Sequence, residues 1–189
     1  MIAIAKVYVD RREFPLDASL KPEFSFSFAE RSVGNIETIR YTVSSTEELK
    51  GDVFVSKERR FQREFGIFYE GKPLCPRKEY FVAIYLTTKE GETLSRSARF
   101  YTRIGKGEWK GTWIGGPQTW NGGGLQIRRE LEPFGGRKIK RAMAYVAGIG
   151  YSEFYVNGQK IGDELLGPGV TTYDKYILYR TYDITDKLH

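Results

Sequence analysis

The side chains that could carry acid–base, nucleophilic or metal chemistry are few. Histidine occurs once, as the final residue His189, and cysteine once, as Cys75. A nucleophile paired with a histidine base therefore cannot be assembled, nor can a zinc site built from His and Cys. Carboxylates are plentiful, and a pair facing each other across a sugar-sized gap is the arrangement that hydrolyses glycosides. Asp163 and Glu164 are adjacent, however, and point to opposite faces of an extended chain. Asp183 and Asp186 fall at the end of a strand-like run, where surface turns collect acids. Gly122-Gly123-Gly124 follows no strand-to-helix pattern, so it reads as a flexible loop rather than a phosphate cradle. No catalytic residue is assigned.

The elements that would position any site are strands. Of 189 residues, 40% are hydrophobic and 15% aromatic, with 13 Tyr, 12 Phe and 3 Trp, which suits a packed β protein and not a disordered one. The net charge of +6 divides evenly: residues 1–104 carry 18 basic and 15 acidic side chains, and residues 105–189 carry 12 and 9. An even balance without a recognisable nucleic-acid module argues against nucleic acid as a partner. Arg137, Lys138, Lys140 and Arg141 form the densest basic cluster and read as a solvated turn entering a strand over 139–147. No run approaches the ~18 apolar residues of a membrane span, and the first residues lack a signal-peptide pattern. The expected chain is soluble, with no membrane partner and no assignable compartment.

Glycine marks the boundary. Five of 21 glycines lie in residues 1–104 and sixteen in 105–189, with Gly105-Lys106-Gly107 as a linker. Residues 1–104 show period-two runs at Pro22–Phe28, Thr38–Ser44, Val53–Val55, Phe65–Tyr69, Tyr80–Thr87 and Ser95–Thr102, separated by turn signals. About seven short strands in roughly 100 residues is the pattern of an immunoglobulin or fibronectin III-like sandwich. Residues 109–189 repeat the signal at Leu125–Glu132, at an almost wholly apolar run around Met143–Ala147 expected to be covered on both faces, and at Tyr176–Ile184. Asn157-Gly158 between two β runs marks a type I′ hairpin. The expected fold is all-β, two sandwich domains over 1–104 and 109–189. Trp109 and Trp113 read as packing residues at the junction, Tyr151, Phe154 and Tyr155 as cross-strand pairing around the hairpin, and Cys75 as a small apolar residue.

Several blocks then agree together. They are Trp109-Lys110-Gly111-Thr112-Trp113-Ile114-Gly115, Arg128-Arg129-Glu130, the stretch Gly148–Asp163, Gly167-Pro168-Gly169-Val170-Thr171-Thr172-Tyr173, and Tyr179-Arg180-Thr181-Tyr182-Asp183-Ile184-Thr185. In this order they resemble the N-terminal β-sandwich domain of bacterial α-L-rhamnosidases, over about residues 109–188. Residues 1–104 resemble, more loosely, the fibronectin-type domain that often precedes it. The resemblance implies a jelly-roll-like second sandwich, incomplete at His189, and catalytic carboxylates in a downstream α/α barrel. The expected role is thus a non-catalytic N-terminal fragment of a rhamnosidase-like glycoside hydrolase, partnered by that barrel or by a rhamnose-containing glycan.

Relatives of this sandwich that bind L-rhamnose through calcium use an Asp-Asn pair and a carbonyl near the Pro-Gly turn. By that resemblance Trp120, Asn121, Pro168 and Tyr173 are the candidate carbohydrate contacts, and Asn121 with the Pro168 carbonyl the candidate calcium ligands. The Asp of the pair is replaced by Trp120, so calcium would lose the carboxylate it normally takes; no other cofactor is implied. Two alternatives stand beside this reading: an autonomous carbohydrate-binding module for L-rhamnose-containing glycans, and a two-sandwich adhesion or scaffold protein. A second sandwich lacking later strands would also leave an open edge, which invites a homodimer.

Overall fold

The computed structural model describes residues 3–29, 35–116, 124–132, 135 and 138–188. The chain divides into two compact units, residues 1–107 and 108–189. Among the described residues there is no α-helix.

Unit 1 is a sandwich of two antiparallel sheets. One holds β1 (Ile4–Val9), β2 (Glu23–Phe28) and β6 (Ile67–Phe68) in the order β1-β2-β6. The other holds β4 (Phe54–Val55), β3 (Ile36–Ser44), β7 (Glu79–Thr88) and β8 (Thr93–Tyr101) in the order β4-β3-β7-β8, with β5 (Arg59–Arg60) also pairing β3. The expected alternation is realised in β2, where Phe24 and Phe26 are buried, and in β3, where Ile39, Tyr41 and Val43 are buried. Val82, Ile84 and Leu86 of β7 and Phe100 of β8 are buried in the same core cluster. The aromatic rings meet edge to face at the centre, Phe24 lying 5.3 Å from Tyr41 and 6.2 Å from Phe100.

Two side chains lock this sandwich beyond its apolar core. The Tyr41 hydroxyl donates to the Phe68 carbonyl at 3.0 Å and accepts the Glu70 N–H at 3.0 Å, joining the two sheets. Burial pushes the Tyr41 hydroxyl up to about 12. The Asp10 carboxylate accepts the N–H groups of Ser19 at 2.6 Å and Glu23 at 2.9 Å, which fixes the connection from β1 to β2. Cys75 is exposed, and its neighbour Leu74 is buried in the core.

Unit 2 is all-β on a smaller scale. β9 (Met143–Ala147) pairs antiparallel with β12 (Tyr179–Asp183), and β10 (Phe154–Val156) with β11 (Gln159–Ile161). Asn157 and Gly158 adopt φ of 48° and 77°, the left-handed pair that a type I′ turn requires. Phe154 stacks on Tyr182 at 5.8 Å, linking the two small sheets.

Three expectations in this unit are corrected. Leu125–Glu132 forms no strand: its alternation is real, but no partner strand lies beside it among the described residues, and Leu125, Ile127 and Leu131 are exposed. The strand expected over 139–147 begins only at Met143 and is half-buried throughout, not covered on both faces. The strand expected over Tyr176–Ile184 is confined to Tyr179–Asp183, and Tyr176 is exposed.

Candidate functional site

The Pro-Gly turn of unit 2 is built against the loop that follows β9. The Ser152 N–H donates to the Gly167 carbonyl at 2.8 Å, and the Gly150 N–H donates to the Tyr173 hydroxyl at 2.9 Å. Gly148 sits so close that a Cβ there would lie 3.1 Å from Ser152 Oγ and 3.5 Å from Pro168 Cδ. The Thr171 hydroxyl donates to the Tyr176 carbonyl at 2.7 Å, and the Lys175 N–H closes on the Thr172 carbonyl at 2.8 Å. Residues 148–152 and 167–173 are therefore one knitted surface, with Gly167 and Pro168 buried in it and Tyr173 half-buried.

Of the four candidate sugar contacts, this brings Pro168 and Tyr173 together. Trp120 and Asn121 lie outside the described residues. The Tyr173 hydroxyl has accepted one hydrogen bond and keeps its proton to donate, so it could still serve a sugar hydroxyl or a carbonyl. Among the described residues no cluster of three or more His, Cys, Asp or Glu could hold a metal ion. The Asn121 half of the proposed calcium pair lies beyond them.

Four acids of unit 2, Glu153, Glu164, Asp183 and Asp186, are individually engaged. Glu164 pairs with Arg180 at 3.3 Å. Asp183 accepts from the Thr185 N–H at 3.0 Å and from its hydroxyl, and Asp186 pairs with Lys187 at 2.8 Å. Glu153 accepts from Lys160 Nζ and from the Tyr155 hydroxyl, each at 2.6 Å. The Lys160 hydrogen bond holds the Glu153 carboxyl below its ordinary range, and the same contact raises Lys160. Tyr182 is raised first by burial and then by Glu164 nearby. Glu153 and Asp186, the latter lowered by its hydrogen bond to Lys187, are shifted downward, the opposite of a general acid at neutral pH.

The aromatic and basic candidates resolve similarly. The Trp109 ring packs on Tyr179 at 5.8 Å and Tyr179 on Tyr145 at 6.2 Å, so Trp109 is a packing residue within its own unit. Trp113, expected to pack, is 62% exposed. Tyr155 is exposed and Phe154 half-buried, as hairpin residues. Lys138, Lys140 and Arg141 are exposed ahead of β9, and Arg137 lies outside the described residues. No helix among the described residues is long and apolar enough to cross a membrane.

Unit 1 thus has the architecture of an immunoglobulin-like domain, joined to a second all-β unit whose turns repeat the rhamnosidase motifs. A family model described as the Rha78A-like N-terminal immunoglobulin domain matches residues 4–107, and the α-L-rhamnosidase N-terminal domain model matches residues 137–189. The chain belongs to the Rha78A-like N-terminal immunoglobulin domain family, within the N-terminal region of α-L-rhamnosidase-like proteins. The first match is to an immunoglobulin domain, rather than to a fibronectin type III one.

Known proteins agree. An α-L-rhamnosidase of Formosa agariphila is 24% identical across 97% of this chain and 22% of its own length. A second from the same organism is 28% identical across 88% of this chain and 20% of its own. The solved α-L-rhamnosidase from Dictyoglumus thermophilum superposes with a TM-score of 0.81 at 27% identity, covering 99% of this chain and 24% of that one. The chain therefore spans between a fifth and a quarter of the length of these relatives.

Proposed function

We propose that this chain is a non-catalytic N-terminal portion of an α-L-rhamnosidase-like glycoside hydrolase. Unit 1 acts as a self-sufficient spacer, and unit 2 as a surface that packs on, and helps to shape, a catalytic body carried elsewhere in the polypeptide. One observation carries this reading: unit 2 keeps its apolar side chains outside. Among its described residues Ile161 is the single buried large hydrophobic, while Ile114, Leu131, Leu165, Leu166, Val170 and Tyr176 are each at least 60% exposed. Covering one such aliphatic side chain is worth roughly 1.5–3 kcal/mol. A surface of this kind marks an interface and not a water-facing wall.

The sheets support the same conclusion. Among the described residues unit 2 holds two two-stranded sheets, and pairs of strands are marginal in water unless something packs on them.

Amide hydrogen exchange tests the proposal. In the 189-residue chain, residues of β2, β3, β7 and β8 should exchange slowly, and those of β9 to β12 at least a hundredfold faster. Extending the chain to the length of a rhamnosidase should slow β9 to β12 to the rate of unit 1. Equal protection of both units in the short chain, as a monomer by light scattering, would overturn the packing role.

A further inference from the structure

Unit 1 carries a groove that the packing role leaves unused. It opens where the two sheets part, between β5 on the edge of β3 and β6 on the edge of β2, and the segment 61–66 closes one side. Its volume is about 390 Å³. The floor is apolar, made by Ile39 and Ile67, both buried. The walls carry three arginines, Arg59, Arg60 and Arg63, together with Gln62 and Phe65.

Three guanidinium groups repel one another unless anions stand between them. The acids nearby are mostly committed elsewhere. Glu58 accepts the Thr38 hydroxyl at 2.6 Å, and Glu23 accepts the Gly66 N–H at 3.1 Å. Glu70 pairs with Arg59 at 3.2 Å, and its carboxylate shows that an oxyanion fits at this rim. Among the described residues no carboxylate pairs with Arg60 or Arg63.

Arg63 is nevertheless held in place. Its guanidinium carbon lies 5.2 Å from the centre of the Phe65 ring. It also spans Gly66, where an added Cβ would meet Arg63 nitrogens at 3.2 and 3.4 Å. Gly66 has φ +72°, so the turn and the absence of a side chain together let the guanidinium lie flat against the backbone. The groove therefore has one arginine satisfied, one pre-oriented and one open, over an apolar floor.

We infer that this groove binds the carboxylate or sulfate group of an acidic saccharide, with Arg60 and Arg63 forking the oxyanion, Gln62 reaching a sugar hydroxyl and the exposed part of Phe65 meeting the ring. The guanidinium fork can pair with two oxygens of a planar carboxylate or of a tetrahedral sulfate in two parallel hydrogen bonds, and an amide beside an aromatic ring is what a saccharide requires and a bare ion does not. The choice of a saccharide over another anion rests on the rhamnosidase-like reading; the oxyanion site itself does not.

The test is a titration of the isotopically labelled 189-residue chain, read by backbone amide shifts. The probes are trigalacturonate, a sulfated disaccharide, a neutral galactose trimer, a hexaglutamate peptide and inorganic sulfate. Either acidic saccharide should shift amides of residues 59–67, and the neutral trimer should not. Whichever acidic saccharide binds more tightly identifies the group. Arg60→Ala with Arg63→Ala should weaken binding at least tenfold, whereas Arg96→Ala, at an exposed position of β8, should leave it unchanged. Because both replaced side chains are exposed, the melting temperature reports whether the double variant remains folded; Arg60→Lys, which keeps the charge and loses the fork, provides the second variant and should weaken binding about threefold or more. No shift confined to residues 59–67, or unchanged affinity in a folded double variant, would overturn the site. Equal affinity for hexaglutamate or for sulfate alone would overturn the saccharide assignment. The exchange experiment on unit 2 is read separately, so each idea can fail without the other.

Discussion

Replacing Tyr41 by Phe removes one oxygen from the centre of unit 1 and leaves the ring in place. Tyr41 is 1% exposed, and that oxygen both donates to the Phe68 carbonyl and accepts the Glu70 N–H, each at 3.0 Å. Each hydrogen bond contributes about 0.5–1.5 kcal/mol net, and the freed backbone groups belong to exposed residues that water can partly reach. The expected loss is therefore about 1–2 kcal/mol, which for a unit of this size lowers the melting temperature by roughly 4–16 °C. The hydroxyl also makes a pH signature. Burial lifts it to about 12 in the folded state, whereas an unfolded tyrosine titrates near its ordinary value of about 10. Between those values the folded state holds a proton that the unfolded state releases, so stability is full below pH 10 and declines as pH rises toward 12. Tyr69 and Tyr80, also raised by burial, remain in the variant. All three tryptophans lie beyond residue 107, so urea unfolding of unit 1 is followed by amide exchange in β3 and β7, with tryptophan emission reporting unit 2 alone. Tyr41→Phe should unfold earlier at pH 8 and lose less stability than the parent between pH 9.5 and 11.5. A melting temperature within 2 °C of the parent, with the same alkaline slope, would refute the hydroxyl's role in joining the sheets.

Asp10→Ala should destabilise unit 1 by about 1–3 kcal/mol, because the Ser19 and Glu23 N–H groups lose their shared acceptor; urea denaturation at pH 7 checks this. Asn157→Ala places a Cβ-bearing residue without a side-chain amide at φ 48° and removes the hydrogen bond from Nδ2 to the Lys187 carbonyl at 2.7 Å. It should cost about 1 kcal/mol and speed exchange in β10 and β11, while leaving unit 1 unchanged.

Much of unit 1 can be read before it is folded. Phe24 and Phe26, then Ile39, Tyr41 and Val43, alternate without interruption, and a sandwich core accepts no other arrangement of them. β1 escapes that reading for a local reason. Its buried residues Ile4, Val7 and Val9 are spaced by three and then two, because the pairing register shifts between Ile4 and Lys6. Leu125–Leu131 shows the opposite failure: alternation supplies a face, but a strand also needs a neighbour to bond with, and that neighbour is not encoded locally. The arginine groove has the same origin. Arg59, Arg60 and Arg63 look like ordinary surface charge until β5 pairs with β3, and β6 with β2, to draw them around Ile39 and Ile67. In unit 2 the hairpin at Asn157-Gly158 is legible because its turn chemistry is local. The contact of Gly150 with Tyr173 spans 23 residues and has no local signal.

The most direct test of the central claim is the release of p-nitrophenol from p-nitrophenyl α-L-rhamnoside by the purified 189-residue chain. The account predicts release indistinguishable from buffer across pH 4–8, since Glu153, Glu164, Asp183 and Asp186 of unit 2 are each tied to a cation, a hydroxyl or a backbone group. Release that rises in proportion to protein concentration, at any pH in that range, would contradict it.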